Sequence, residues 1–278
     1  MRDILFLAHR LPYPPDRGDR IRSWHVLNAL AKLARVHVAA LVDDEADRKH
    51  VATVKRIAET VHVERRNPSK VFAMVRALAR GSPASVEAFA SCELERHISG
   101  ILRYHDVDAI YAFSSQMAQY VPANLSGRRF VMDFVDMDSA KFAALGGFAN
   151  TQEAKRLLNW EVAAAKRADV SLFVSEAEAA LFRETTGLPA RVLENGIDLV
   201  RFKPEAVAPE TAPHPLIVFT GQMDYPPNVE AVVDFARNAL PQLDATFAIV
   251  GRAPTQQVLA LASDRVIVTD EVSDTRPW

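Results

Sequence analysis

Apolar residues fall along this chain in short unbroken runs, separated by stretches in which they recur every three or four positions. The runs are Asp3–His9, Val36–Val42, Val61–Val63, Ala109–Phe113, Phe130–Val135, Val170–Val174 and Ala190–Leu193. Each is of strand length, and continuous rather than alternating hydrophobicity marks a strand covered on both faces. Between them, Ile21–Leu33 and Thr151–Arg167 repeat apolar residues at helical spacing. Strands that alternate with helices predict a parallel sheet with helices on both sides.

The pattern breaks at Lys203–Pro215, which holds four prolines and little periodicity and reads as a linker. The alternation then restarts. Strands are predicted at Leu216–Thr220, Thr246–Val250 and Val266–Thr269, and helices at Asn228–Leu240, with Asn228 as N-cap, and Thr255–Ala262. The expected organisation is a first domain at 1–202, a linker at 203–215 and a second domain at 216–278. Three strands make about one mononucleotide-binding half of a doubly wound sheet. Half a sheet leaves an open edge and an uncovered apolar face, so the second domain is expected to be incomplete. The fold class is α/β: two Rossmann-like doubly wound domains, the second one partial.

Composition narrows the function classes. Of 278 residues, 49% are hydrophobic and 24% charged, ordinary values for a globular chain. The apolar run Ile4–Ala8 is too short for a signal segment, and no stretch approaches the ~20 apolar residues that span a bilayer. A lone cysteine, Cys92, forbids an internal disulfide and fits a reducing compartment, so a cytoplasmic location is expected. The net charge of −2 hides a local bias: between Arg48 and Arg80 stand nine basic residues against Glu59 and Glu64. Such a patch attracts phosphates, anionic headgroups or nucleic acid.

The chemistry-bearing residues sit at predicted strand ends, where doubly wound folds bind ligands. After the first strand, Gly18 opens a helix and lets the backbone come close, while Arg17, Arg20 and Arg22 add charge for a phosphate or carboxylate. The same segment also fits a turn with solvated arginines. Ser114 closes the fourth strand, as substrate contact or as a serine cap. Asp133, Asp136 and Asp138 cluster at the end of the fifth; an aspartate here orients a hydroxyl or serves as general base, or Asp138 or Ser139 simply caps the next helix. Asn195-Gly196 is a turn at the end of the first domain. Gly221 to Asn228, including Asp224, forms the βα turn of the second domain and carries no Lys or Arg. No His/Cys cluster has metal-ligand spacing, and there is no Walker loop, G-x-S-x-G or early G-x-G-x-x-G. The eight histidines are scattered, with His37 and His62 inside strand patterns, where a structural role is expected.

Taken in order, Asn195-Gly196-Ile197-Asp198 with Phe202-Lys203-Pro204 and the restart at Gly221 resemble the family 4 glycosyltransferases of GT-B fold. Phe134–Ser139, Gly221–Asn228 and Glu161 followed by Lys166-Arg-Ala-Asp-Val170 resemble, more narrowly, the sugar transferases of PEP-CTERM/exosortase exopolysaccharide loci. The resemblance implies a nucleotide-sugar donor, a retaining transfer with no cofactor or metal, a saccharide or lipid-linked acceptor, and no nucleic-acid partner. It implies catalytic roles for Asp136 and Asp138, an acceptor side of Gly18, Asp19, Arg20, Arg22 and Ser114, and a donor side of Asn195, Gly196, Gly221, Asp224 and Asn228. The family's Arg and Lys that hold the donor diphosphate are replaced here by Gln222 and Pro227-Asn228. Its E-x7-E segment is expected beyond residue 278; the matching pairs Glu87/Glu95, Glu153/Glu161 and Glu176/Glu184 lie in the first domain and read as chance.

In Lys70–Arg80, Val71, Met74, Val75 and Leu78 share one helical face among basic residues. That helix either faces the core or rests on an anionic membrane surface, which would make the protein peripheral to a membrane. Two other functional readings remain: a non-catalytic remnant of such an enzyme, and a sugar-nucleotide epimerase of the same fold.

Overall fold

The computed structural model describes residues 2–66, 69–200, 202–203, 207–212 and 214–278; parts of the expected linker, residues 204–206 and 213, lie outside the described residues. The chain divides into two compact units, residues 1–195 and 196–278.

The first unit carries seven strands: β1 (Asp3–Ala8), β2 (Arg35–Val42), β3 (Thr60–Arg65), β4 (Val107–Phe113), β5 (Arg129–Val135), β6 (Val170–Phe173) and β7 (Arg191–Val192). Its helices are α1 (Gly18–Ala31), α2 (Val51–Val54), α3 (Lys70–Arg80), α4 (Ala84–Glu87), α5 (Cys92–Tyr104), α6 (Asp138–Leu145), α7 (Phe148–Arg167) and α8 (Glu176–Thr186). The strands form one all-parallel sheet in the order β3-β2-β1-β4-β5-β6-β7. All seven predicted runs are strands of this sheet, with ends within two residues of expectation.

Side chains alternate across a strand, and here both sets are apolar. Phe6, Ala8, Val36, Val38, Ala40, Tyr111 and Phe113 point to one face with Leu27 of α1 and Val54 of α2. Leu5, Leu7, Ala39, Ile110, Phe130, Met132 and Phe134 point to the other, beneath Leu94 and Ile98 of α5, Ala164 of α7 and Phe182 of α8. Phe134, Phe173 and Phe182 pack with ring centroids 4.8–5.5 Å apart. Truncating such a buried ring costs about 3–5 kcal/mol.

The second unit holds β8 (Leu216–Thr220), α9 (Pro226–Asp234), β9 (Thr246–Val250), α10 (Gln256–Leu259) and β10 (Val266–Val268). The three strands are parallel in the order β10-β9-β8, and Val232, Leu240, Phe247, Ile249 and Val258 form their core. Two helix details differ from expectation. Tyr225, not Asn228, is the N-cap of α9, and α9 passes into a π turn over Phe235–Ala239 before Pro241.

Candidate active site

The order 3-2-1-4-5-6 reverses direction between β1 and β4, and ligands of doubly wound sheets bind in the crevice outside that switch point. Two turns frame it: His9–Arg17 after β1 and Ser114–Gln116 after β4.

His9 is the first residue past β1 and is nearly buried. Its ring stacks on Phe113 of β4 with centroids 5.7 Å apart and meets Phe89 edge-on at 5.9 Å. Its Nε2 stands 3.2 Å from Asp19 Oδ2. With Nε2–H donated to Asp19, Nδ1 is a buried nitrogen that no protein group satisfies. Arg10 Nη1 donates to the same Asp19 oxygen at 2.8 Å, and Arg10 Nε to Asp43 Oδ2 at 2.6 Å. Arg66 closes the chain of charges on Asp43 Oδ1 at 2.5 Å. Burial alone would raise the pKa of Asp19; the hydrogen bond from His9, with the charges of Arg10 and Arg17, more than reverses it and holds this carboxyl well below the usual range. A carboxylate that fixes one imidazole nitrogen and leaves the other open is the arrangement of a general base or hydroxyl-orienting group.

Arg20 and Arg22 do not offer the surface charge expected of them. Both are buried. Arg20 Nη2 is hydrogen-bonded to Asp47. Arg22 grips Asp133 with Nε and Nη2 at 3.2 and 3.1 Å and donates through Nη1 to the Leu193 carbonyl and Asn195 Oδ1 at 2.6 and 3.1 Å. Tyr111 Oη and the Val135 N–H also donate to Asp133, at 2.7 and 3.2 Å. Burial and the Asp133 carboxylate push the Tyr111 phenol far above its ordinary pKa, so it stays a donor. Asp133 and Arg22 thus brace the tips of β4, β5 and β7. Gly18 opens α1 with free space where a side chain would stand, and Asn195 is exposed beside Arg22, with exposed Gly196 next in the chain.

The ends of β4 and β5 are strained. Ser114 has φ 79° and Val135 φ 70°, a region that costs a non-glycine residue about 1–3 kcal/mol and is worst for a β-branched side chain. Ser114 stands at the N-cap of the following 3₁₀ turn, but its side chain caps no backbone N–H; its hydroxyl hydrogen-bonds Gln116 Oε1 and its N–H donates to the Asp133 carbonyl at 2.8 Å. The strained Val135 turns the chain so that Asp136 projects from β5. Asp136 is partly exposed and pairs with Lys141 Nζ at 2.6 Å. Asp138 is engaged further, accepting from Ser115 Oγ and Gln116 Nε2, both at 2.9 Å.

Neither Asp138 nor Ser139 is the N-cap of α6; Met137 is. Its free N–H groups are satisfied by carboxylates from other helices. Glu178 accepts from the Met137 N–H at 2.7 Å, and Glu161 from the Ser139 N–H and hydroxyl at 3.1 and 2.5 Å. Glu161 is fully buried, and burial pushes its pKa up to about 7 against the opposing hydrogen bonds of Ser139. Of the other glutamates in the three pairs, Glu153 accepts from the backbone N–H groups of Ala84 and Ser85 at 3.2 and 2.8 Å, Glu87 pairs with Arg76 at 3.0 Å, and Glu176 accepts from Arg183.

In the second unit, Gly221 and Gly251 end adjacent strands in contact. A Cβ on Gly251, at φ 150°, would lie 1.7 Å from the Gly221 carbonyl oxygen. Asn228 closes the turn by donating from Nδ2 to the Gln222 carbonyl at 2.9 Å, and Gln222 Nε2 donates to Asp224 Oδ1 at 2.6 Å. The turn itself has no cation, but Arg252, after β9, brings Nη2 to 3.4 Å from Gln222 Oε1. Gly221, Asp224 and Asn228 are thus gathered in one turn.

The sequence signals for His9 and Arg252 were slight. A polar residue one or two positions past a buried strand marks both, and only the sheet order shows which turns their strands end beside.

No protein-family model matches the chain, and no curated protein matches it. Solved structures do. The HepE protein of Anabaena, in complex with UDP-glucose, superimposes with a TM-score of 0.59 at 19% identity over 98% of this chain and 70% of its own. A sucrose-phosphate synthase from Thermosynechococcus elongatus gives 0.63 at 16% over 98% and 71%. A glycosyltransferase from Rickettsia africae gives 0.57 at 12% over 99% and 70%. At these identities the likeness establishes the fold, which is GT-B.

Proposed function

We propose that this chain is a glycosyltransferase that moves a sugar from a nucleotide-sugar donor to a saccharide or lipid-linked acceptor. The observation that carries the reading is the His9–Asp19 pair at the β1/β4 switch point, with one buried imidazole nitrogen that no protein group satisfies. His9 takes or orients the proton of the acceptor hydroxyl, and Asp136, projected by the strained end of β5, faces the reacting sugar. The turn Gly221–Asn228, with Arg252 beside it, takes the donor phosphates on backbone N–H groups and one guanidinium. Support comes from the shared fold, since one protein of that fold, HepE, is seen with UDP-glucose. Retention of configuration, transfer without a metal, and a place in exopolysaccharide assembly follow from the motif resemblance and belong to this proposal.

Peripheral attachment to an anionic membrane is part of the same reading. No described helix is long and apolar enough to cross a membrane. On α3, however, Val71, Met74, Val75 and Leu78 are 58–75% exposed, so this face does not pack on the core. Arg76 and Arg80 flank it, sharing Glu87.

The test is turnover of a panel of UDP-, GDP- and ADP-linked sugars with and without saccharide and polyprenyl-linked acceptors. Acceptor-dependent release of nucleoside diphosphate is expected, and His9→Ala and Asp136→Asn should each lower it by about 10²–10⁴-fold. Conversion of the donor without acceptor would indicate an epimerase; no turnover of any donor by the folded chain would indicate a non-catalytic role.

A further inference from the structure

Half of the chain's histidines gather at the opposite edge of the first sheet, where the strands begin. Asp3 starts β1, His37 lies near the start of β2, and His105 follows α5 just before β4. Among the described residues, one ligand atom from each of these three lies within 4.8 Å of the others. The rings of His37 and His105 have centroids 4.3 Å apart. A second pair, His62 and His97, stacks at 3.8 Å. His62, His97 and His105 line one open pocket of ≈ 470 Å³, with Thr60, Glu93 and Arg96 also on its wall.

The orientation of each group is fixed from behind. His37 is completely buried, and its Nδ1 lies 2.9 Å from Thr60 Oγ1. Nε2 faces Asp3 Oδ2, 3.4 Å away. With Nε2–H donated to that oxygen the pair is a hydrogen bond; with the proton on Nδ1 and donated to Thr60, the Nε2 lone pair and the carboxylate converge on the same gap as ligands for a cation. The gap also matches the edge of a tetrahedron with bonds of about 2.0–2.1 Å, which is about 3.3–3.4 Å. Asp3 is aligned in turn by Arg35, whose Nε donates to Oδ1 at 2.7 Å and Nη2 to Oδ2 at 3.0 Å. Outer partners that set the tautomer and the carboxylate plane are what a metal ligand set requires. His105 is exposed and lines the pocket, which supplies the access route.

We propose that Asp3, His37 and His105 bind a divalent first-row transition ion of the zinc type, with solvent completing its shell. Two imidazoles and one carboxylate suit such an ion and not magnesium or calcium, which select oxygen. The site lies across the sheet from the edge that carries His9 and Asp136, so the ion takes no part in transfer. It ties β1, β2 and the α5–β4 corner together. The three ligands are separated by 34 and 68 positions in the sequence, which is why no spacing motif announces them.

The experiment is titration of chelator-treated full chain with Zn²⁺ against a chromophoric chelator, and with Co²⁺ followed by its visible absorption. One equivalent should bind, Co²⁺ should show the intense bands of a four-coordinate site, and excess Zn²⁺ should raise Tm by roughly 5–10 °C at a hundredfold over Kd. His105→Ala, an exposed position whose metal-free melt should match the parent, is expected to weaken binding at least about 10-fold. His97→Ala, in the pocket wall but outside the ligand set, should leave the affinity unchanged. Failure of the parent chain to bind, binding that survives His105→Ala, or equal loss in His97→Ala would each overturn the assignment. None of these readouts depends on sugar transfer.

Discussion

Glu161 shows how much a single buried carboxyl sets at this site. It supplies the acceptors for two donors of Ser139 and so fixes the start of α6, where Asp138 stands, two residues after Asp136. Its pKa is raised from 4.5 to about 7, chiefly by burial. Below pH 4.5 the folded and unfolded chains both hold the proton, and the favourable contribution is complete. As pH rises toward 7 the unfolded chain releases the proton first, and stability falls. Glu161→Gln removes this dependence. Between pH 4 and 8 the parent should lose about 3 kcal/mol more than the variant, measured by urea denaturation of both at several pH values. Equal pH profiles would mean that Glu161 is ionised in the folded chain. No local signal marks this residue, because it caps a helix 22 positions away. His9 is similar: its partner Asp19 is near in sequence, but Phe113 and the β1/β4 crevice are brought to it by the sheet.

At the scale of elements, the strands were legible because both faces of each are buried, and a continuous apolar run of that length fits a covered strand better than an amphipathic helix. Helix starts were less so. Asn228 has an N-cap's chemistry, yet Pro226 and Pro227 occupy the first helical positions and displace the cap to Tyr225. Helix α3 was ambiguous by pattern, since an amphipathic face fits a core or a membrane equally. Its exposed Val71, Met74, Val75 and Leu78 decide against the core. The chain should co-sediment with phosphatidylglycerol-containing vesicles, more weakly at high salt, and hardly at all with neutral vesicles. Val75→Asp should weaken that binding by about 10-fold or more, from lost burial alone. Sedimentation independent of anionic lipid would remove the membrane from the proposal.

At the scale of the whole molecule, the strand order of the first unit places every polar strand end that matters on one edge. His9, Ser114 and Asp136 leave that edge from β1, β4 and β5. The second unit repeats the βαβ plan on a three-stranded sheet, with its own glycine contact between Gly221 and Gly251. The GT-B likeness accounts for both plans, and the pattern of runs, break and restart already contained them. What the pattern lacked was the pairing of charges: Arg20 and Arg22 looked like free cations and are internal braces. The central claim is that this fold holds a nucleotide-sugar. Calorimetric titration of the chain with UDP-glucose and with GDP- and ADP-linked sugars tests it most directly. Saturable binding of at least one of them, with Kd in the range of about 1 μM to 1 mM usual for enzyme substrates, is the expected result. No heat from any of them, with a chain that still unfolds cooperatively, would contradict it.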